Sequence, residues 1–155
     1  MKNVIALLYL SLLFSVTNGQ DTSSIIGIWK IVSVSHEGIY FNLKNDSISL
    51  SKEKQKLYPN ISKQKTLGEN IKMTYINTQF HFNKNGIFNQ TIDTSSIFDG
   101  FYQDFPLLGQ IELTTKNSLN HNVTDTLKYA IKGDLLYLSF KWDDDTFDYV
   151  LERNE

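Results

Sequence analysis

The 155-residue chain has no cysteine, two prolines and a single arginine. Without cysteine it can form no disulfide framework, thiol nucleophile or thiolate-bound metal site, and it cannot carry a lipid on a cysteine. Positive and negative charges nearly balance, at a formal net charge of −2. Nucleic-acid binding requires a basic surface, so the sequence predicts no nucleic-acid partner.

A long apolar run is also missing. The run at residues 4–16 is 13 residues long, whereas a membrane-spanning helix needs about 20 apolar residues. It follows Lys2 and precedes small residues that end at Gly19, which is the pattern of a cleavable leader. We therefore predict a signal peptide over residues 1–19 and no membrane span. Residues 20–155 should form one domain that is secreted or periplasmic.

The rest of the chain is a series of short segments with strand character. Residues 26–35 are rich in β-branched and apolar side chains, and residues 79–92 alternate on both sides of Asn85-Gly86. Asn-Gly is typical of the tight turn of a β-hairpin. After a further strand at residues 111–114, three alternating segments from residue 127 onward predict an antiparallel meander.

One stretch has helical periodicity instead. Leu67, Ile71 and Tyr75 recur at helical spacing, and the segment that begins at Thr66 matches a capping box. The pattern predicts a helix over residues 62–76. Its apolar side must cover another surface, so we expect it to act as a lid on the mouth or side of the sheet.

A sheet of short strands must bury one face and protect two edges, and closing it into a barrel does both. We assign the closure to Gly27 and Trp29 on the first strand and Arg153 on the last. Glycine permits a sharp turn, tryptophan can fill the barrel floor, and arginine can lie over the indole. The sequence therefore predicts an all-β fold, an antiparallel up-and-down barrel of about eight strands with one helical insertion after the first strand.

Gly27-Ile28-Trp29-Lys30-Ile31-Val32-Ser33 resembles the first-strand motif of the lipocalin and calycin superfamily. The order of elements is similar to that of secreted bacterial lipocalin-like domains, and it also resembles the cytosolic fatty-acid-binding proteins. The resemblance implies a barrel that holds a small apolar molecule. Fatty-acid-binding proteins hold the ligand carboxylate with inward arginines. Because the only arginine here is assigned to closure, that clamp cannot form.

The alternation predicts seven side chains that face the barrel interior. If the barrel is hollow, these side chains are the candidate ligand contacts. If the barrel is filled, they form a solid core, and both alternatives stay open. The set comprises Phe80, Phe82, Phe88, Tyr129, Leu138, Phe140 and Tyr149. Residues 97–108 carry four further aromatic side chains and are expected to form a loop, either at the mouth or packed on the outside.

No catalytic signature is present, because no serine lies in a nucleophile elbow and no carboxylate pair can be argued to converge. The histidines are scattered at His36, His81 and His121, and the acidic turn at residues 143–145 lacks the spacing of a calcium loop. We therefore predict no enzyme activity, no metal and no cofactor.

The favoured hypothesis is non-catalytic binding of a small, lipid-like apolar molecule inside the barrel. The alternative is a secreted interaction module with a filled barrel, whose loops bind another protein or a cell-envelope component. The sequence identifies no protein partner.

Overall fold

The computed structural model describes residues 24–116, 119–142 and 145–154, and for Trp142 the backbone only. The predicted signal peptide and residues 143–144 of the acidic turn lie outside these ranges. In chain order the elements are β1 (Gly27–His36), β2 (Ile39–Asn42), β3 (Ser47–Leu50), α1 (Lys52–Leu57), α2 (Ile61–Tyr75), β4 (Thr78–Phe82), β5 (Ile87–Ile92), β6 (Ser95–Phe105), a 3₁₀ turn (Pro106–Leu108), β7 (Gln110–Lys116), β8 (Asn122–Lys132), β9 (Leu135–Trp142) and β10 (Asp145–Arg153). Neither α-helix in the described ranges is long and apolar enough to span a membrane.

Eight antiparallel strands close into a barrel. Strands β4 to β10 form a meander in which strands that are consecutive in the chain pair with each other. Strand β1 closes this series by pairing with β4 at one end and with β10 at the other. The predicted fold class is confirmed, including the helical insertion. Closure leaves no free edge in the barrel wall.

Strand β1 pairs with two different strands along one of its edges. Residues 27–30 pair with β4, and residues 33–36 pair with β2. The β2–β3 hairpin extends the sheet beyond the barrel wall, and the helices follow β3. The sequence did not predict β2 and β3, because strands of four residues are too short to show a clear alternation.

We call the end of the barrel where β1 begins and β10 ends the floor, and the opposite end the mouth. Alternate residues of the strands face inward and form one buried apolar cluster. Most of the completely buried side chains, such as Trp29, Phe82, Ile111, Leu136 and Leu151, lie near the floor ends of their strands. The floor half is therefore filled by side chains.

The predicted contact between Trp29 and Arg153 is present at the floor. The two residues are register partners in the β1–β10 ladder, and the guanidinium carbon lies 4.5 Å from the indole centroid. Arg153 Nη1 donates a hydrogen bond to the carbonyl of Ile26 at 2.9 Å, and Nη2 donates to that of Ser24 at 2.8 Å. Trp29 is fully buried, and its Nε1 donates to the carbonyl of Ile25 at 2.7 Å. Arg153 thus ties the segment before β1 to the end of β10.

Gly27 is required beside this contact for two reasons. Its φ of +143° is unfavourable for residues with a side chain. A Cβ atom at this position would also lie 2.8 Å from Nη1 of Arg153. We expected a sharp turn from Gly27, and the close approach of the guanidinium adds a second constraint.

The predicted helix over residues 62–76 agrees with the structure within one residue at each end, but the predicted capping box is wrong. Helix α2 begins at Ile61, and the Asn60 side chain caps it by accepting a hydrogen bond from the Lys63 backbone N–H at 2.9 Å. Thr66 therefore lies inside the helix and does not cap it. Asparagine is as good an N-cap as serine or threonine, and its position after Pro59 was the better signal.

The predicted aromatic loop at residues 97–108 is also wrong. Residues up to Phe105 belong to β6, and only Pro106–Leu108 form a turn. Phe98 and Tyr102 face the core, with Gly100 between them on the same face. This inward glycine interrupts the apolar alternation, which is why the segment did not resemble a strand.

Replacing Arg153 with alanine should lower the free energy of unfolding by about 1–3 kcal/mol, because a cation–π contact and two charged hydrogen bonds are lost. Lys132→Ala is the matched control, since its Nζ lies 5.2 Å from the centroid of the Tyr137 ring away from the closure. That change should cost no more than about 0.5 kcal/mol. Chemical denaturation of both variants measures the difference, and equal small losses would contradict the role of Arg153 in closure.

Candidate binding site at the barrel mouth

All seven predicted interior residues contribute to the core. Five are buried and two are half-buried and packed against the buried cluster. The buried five are Phe80, Phe82, Phe88, Leu138 and Tyr149, and the half-buried two are Tyr129 and Phe140. The predicted inward direction is therefore confirmed for the set, whereas a role in ligand binding depends on the space around each side chain.

A row of aromatic rings runs through the interior from floor to mouth. Successive ring centroids lie 5.1 to 6.1 Å apart, within the range of favourable aromatic pairs. In order from the floor, the rings are Phe82, Phe88, Phe80, Tyr149, Phe140 and Phe147. The row forms a continuous apolar wall inside the barrel.

A cavity of about 180 Å³ lies beside this row in the mouth half. Its lining is mainly aromatic and aliphatic, with three polar residues. The lining residues are Phe80, Phe88, Phe98, Phe140, Leu113, Leu127, Gln90, Asp125 and Lys141. An apolar cavity of about 150 Å³ can hold benzene, whereas sites for drug-sized ligands start at about 300 Å³. The interior is thus neither solid nor large enough for a whole lipid.

The structure brings only part of the predicted site together. Phe80, Phe88 and Phe140 line the cavity. The other four predicted residues belong to the core but do not line this cavity. Leu127 could have been found from the sequence, because it alternates with Tyr129 along β8.

The polar residues of the lining come from three strands. Gln90 lies on β5, Asp125 on β8 and Lys141 on β9, and the last two are exposed. Gln90 and Asp125 share a strand face with the inward-facing Phe88 and Leu127, so they offer an amide and a carboxylate beside an apolar pocket. Lys141, in contrast, follows the inward-facing Phe140 and directs its side chain to the outer face. A ligand with an apolar end and a polar end could bury the first and hydrogen-bond through the second.

Helix α2 covers a different part of the mouth. Gly68 is the buried residue of the helix, and a Cβ atom there would lie 3.1 Å from Cε2 of Phe41 on β2. At the end of α2, the Tyr75 ring meets the Tyr149 ring edge-on, with 6.0 Å between their centroids. None of the α2 residues lines the cavity. The predicted lid therefore packs over β2 and Tyr149 and leaves the cavity open to the side of β5–β9.

Tyr149 connects the helix to the cavity wall. Its ring centroid lies 5.5 Å from that of Phe80 and 5.7 Å from that of Phe140, two lining residues. Burial raises the pKa of the Tyr149 hydroxyl, and the neighbouring Tyr75 adds to the shift. The neutral form of Tyr149 is therefore part of the packed structure.

No protein-family model matches the chain, and no curated protein matches its sequence. Among solved structures, a DUF4847 family protein from Bacteroides vulgatus ATCC 8482, determined by crystallography at 1.00 Å resolution, has a similar fold with a TM-score of 0.52. The likeness concerns the fold alone. The alignment covers 88% of this chain and 100% of that chain at 13% identity, and such low identity transfers no function.

The stability of the barrel should fall above about pH 10. Because the folded-state pKa of Tyr149 is raised, its contribution is complete below the unfolded-state pKa of about 10 and is lost as the pH rises above it. Tyr149→Phe should reduce this alkaline loss, whereas Tyr137→Phe, at an exposed position, should not. Urea denaturation of the three proteins between pH 8 and pH 11 tests this expectation. An identical pH profile for wild type and Tyr149→Phe would contradict it.

Proposed function

We propose that this protein is a secreted, non-catalytic, lipocalin-like barrel that binds the compact apolar end of a small molecule in its mouth cavity. The cavity of about 180 Å³, with its aromatic lining and polar rim, is the observation that carries the proposal. The leader pattern at residues 1–19 supports secretion.

The filled floor limits how deep a ligand can reach. Trp29 and Phe82 are completely buried at that end, so the ligand enters from the mouth and keeps its polar part beside Gln90 and Asp125. Burying six carbon atoms stabilises the complex by about 5 kcal/mol, which corresponds to a dissociation constant on the order of 0.1–1 mM before any polar contact. A ligand of this kind is smaller than a fatty acid.

The position of the titratable side chains supports a binding role over an enzymatic one. The two charged residues that line the cavity, Asp125 and Lys141, are exposed at its rim. Catalytic acids and bases generally occupy buried sites that shift their pKa values. For the described residues, no such pair extends into this cavity.

The interaction-module alternative has one specific observation in its favour. The Phe101 side chain is 68% exposed on the outer face of β6, beside a groove of about 300 Å³ that Ile87 also lines. A protein partner could cover this groove. Its occupancy would leave the interior cavity unaffected.

Filling the cavity should abolish binding. We expect toluene to shift the amide resonances of residues around the cavity in two-dimensional NMR spectra. The Leu127→Trp substitution should weaken toluene binding at least tenfold, because the larger side chain would fill the cavity that Leu127 lines. Leu107→Trp is the control, since Leu107 is 98% exposed outside the barrel. Thermal unfolding would verify that both variants fold.

Two outcomes would count against the proposal. Shifts that cluster around Phe101 would indicate the outer groove as the apolar site. Unchanged toluene affinity in folded Leu127→Trp would show that the cavity is not where the probe binds.

A further inference from the structure

A second group of polar side chains lies at the mouth end of the β1–β10 seam. His36 is the last residue of β1, Glu37 follows it in the turn, and Asp145 is the first residue of β10. One ligand-type atom from each residue lies within 4.8 Å of the other two. His36 Nε2 is 3.5 Å from Oδ2 of Asp145. An imidazole nitrogen and two carboxylates therefore converge at one point.

The strand register holds the imidazole in place. His36 pairs with Phe147 across the β1–β10 ladder, and the two rings stack with centroids 3.9 Å apart and an interplanar angle of 7°. Phe147 continues the interior aromatic row through Phe140. The imidazole is thus fixed by packing before any ligand binds, which reduces the entropic cost of forming a site.

The Nε2 atom of His36 adds a second observation, since its nearest carboxylate oxygen is Oδ2 of Asp145 at 3.5 Å. Although the side chain is 30% exposed, this nitrogen is buried and has no hydrogen-bond partner. A buried polar atom without a hydrogen bond destabilises the folded state. A metal ion that accepts the nitrogen lone pair would remove this cost.

The surrounding charges leave room for a divalent cation. Lys54 Nζ lies 2.6 Å from Oε2 of Glu37, and this hydrogen bond is the main reason that the pKa of Glu37 is lowered. Glu37 keeps a second oxygen, Oε1, and Asp145 supplies another carboxylate. With a neutral imidazole, two carboxylates and one ammonium group carry a local charge of −1.

We propose that His36, Glu37 and Asp145 bind a divalent transition-metal ion, for which Zn²⁺ is the best match. Zn²⁺ is bound by imidazole nitrogen and carboxylate oxygen, whereas Ca²⁺ and Mg²⁺ prefer oxygen ligands only. Ligand atoms around tetrahedral Zn²⁺ lie ~3.3 Å apart, so the carboxylates must rotate toward Nε2. Asp145 and Glu37 have room to do so, because their side chains are 47% and 46% exposed, although Glu37 has to turn while its Oε2 contacts Lys54.

Metal binding here would join the last residue of β1 to the first residue of β10. It would therefore act on the same seam that Arg153 ties at the floor. Because the ion binds the folded ladder and the ligands are 109 positions apart in the unfolded chain, binding should raise the melting temperature.

Isothermal titration calorimetry of the tag-free secreted chain with ZnCl₂ tests the proposal. We expect one site per chain with a micromolar dissociation constant and an increase in melting temperature. CaCl₂ should give neither effect. His36→Gln should weaken Zn²⁺ binding at least tenfold, and Asp145→Asn should also weaken it.

Two further variants separate this site from unspecific binding. His81→Gln is the matched control, because the His81 Nε2 contacts the side chains of Gln79 and Thr91 on β4 and β5; it should bind Zn²⁺ as the wild type does. Lys54→Met should bind severalfold more tightly, because a competing cation is removed from Glu37. No detectable Zn²⁺ binding by the wild type, or wild-type affinity in folded His36→Gln, would overturn the proposal.

Discussion

The fold depends on a constraint at one strand: β1 must pair correctly along both edges at once. Trp29 pairs on both edges of β1, because it is the register partner of Phe80 on β4 and of Arg153 on β10. A shift of one residue on either side would turn the indole out of the core. The guanidinium of Arg153 covers the ring and bonds the carbonyls of Ser24 and Ile26, so closure and register are stabilised by the same contact.

This closure also determines where a ligand can bind. Many of the completely buried side chains lie around Trp29, so the floor is filled, and the interior cavity lies toward the mouth. Helix α2 packs against Phe41 of β2 and against Tyr149, and none of its residues lines the cavity. The interior is therefore a shallow cup rather than a chamber, and in the proposed binding role its depth would select ligands by the size of their apolar end.

Local patterns predicted most of the wall. The Asn85-Gly86 hairpin, the C-terminal meander and the inward direction of seven side chains follow from alternation over a few neighbouring residues, and the structure confirms them. Strand β6 was not predicted, because Gly100 interrupts its alternation of apolar side chains. The polar rim and the group of His36 and Asp145 could not be predicted, because which residues meet across strands depends on register between segments distant in the chain.

The two ends of the β1–β10 seam differ in how completely their polar groups are satisfied. At the floor, both terminal nitrogens of Arg153 donate to carbonyls, and the indole nitrogen of Trp29 has its own acceptor. At the mouth, His36 Nε2 is the one buried side-chain nitrogen or oxygen without a hydrogen bond among the described residues. Buried polar groups that only support a fold are normally paired. This nitrogen makes no hydrogen bond but lies 3.5 Å from the Asp145 carboxylate, and it is the atom on which the proposed metal site at the mouth end of the seam depends.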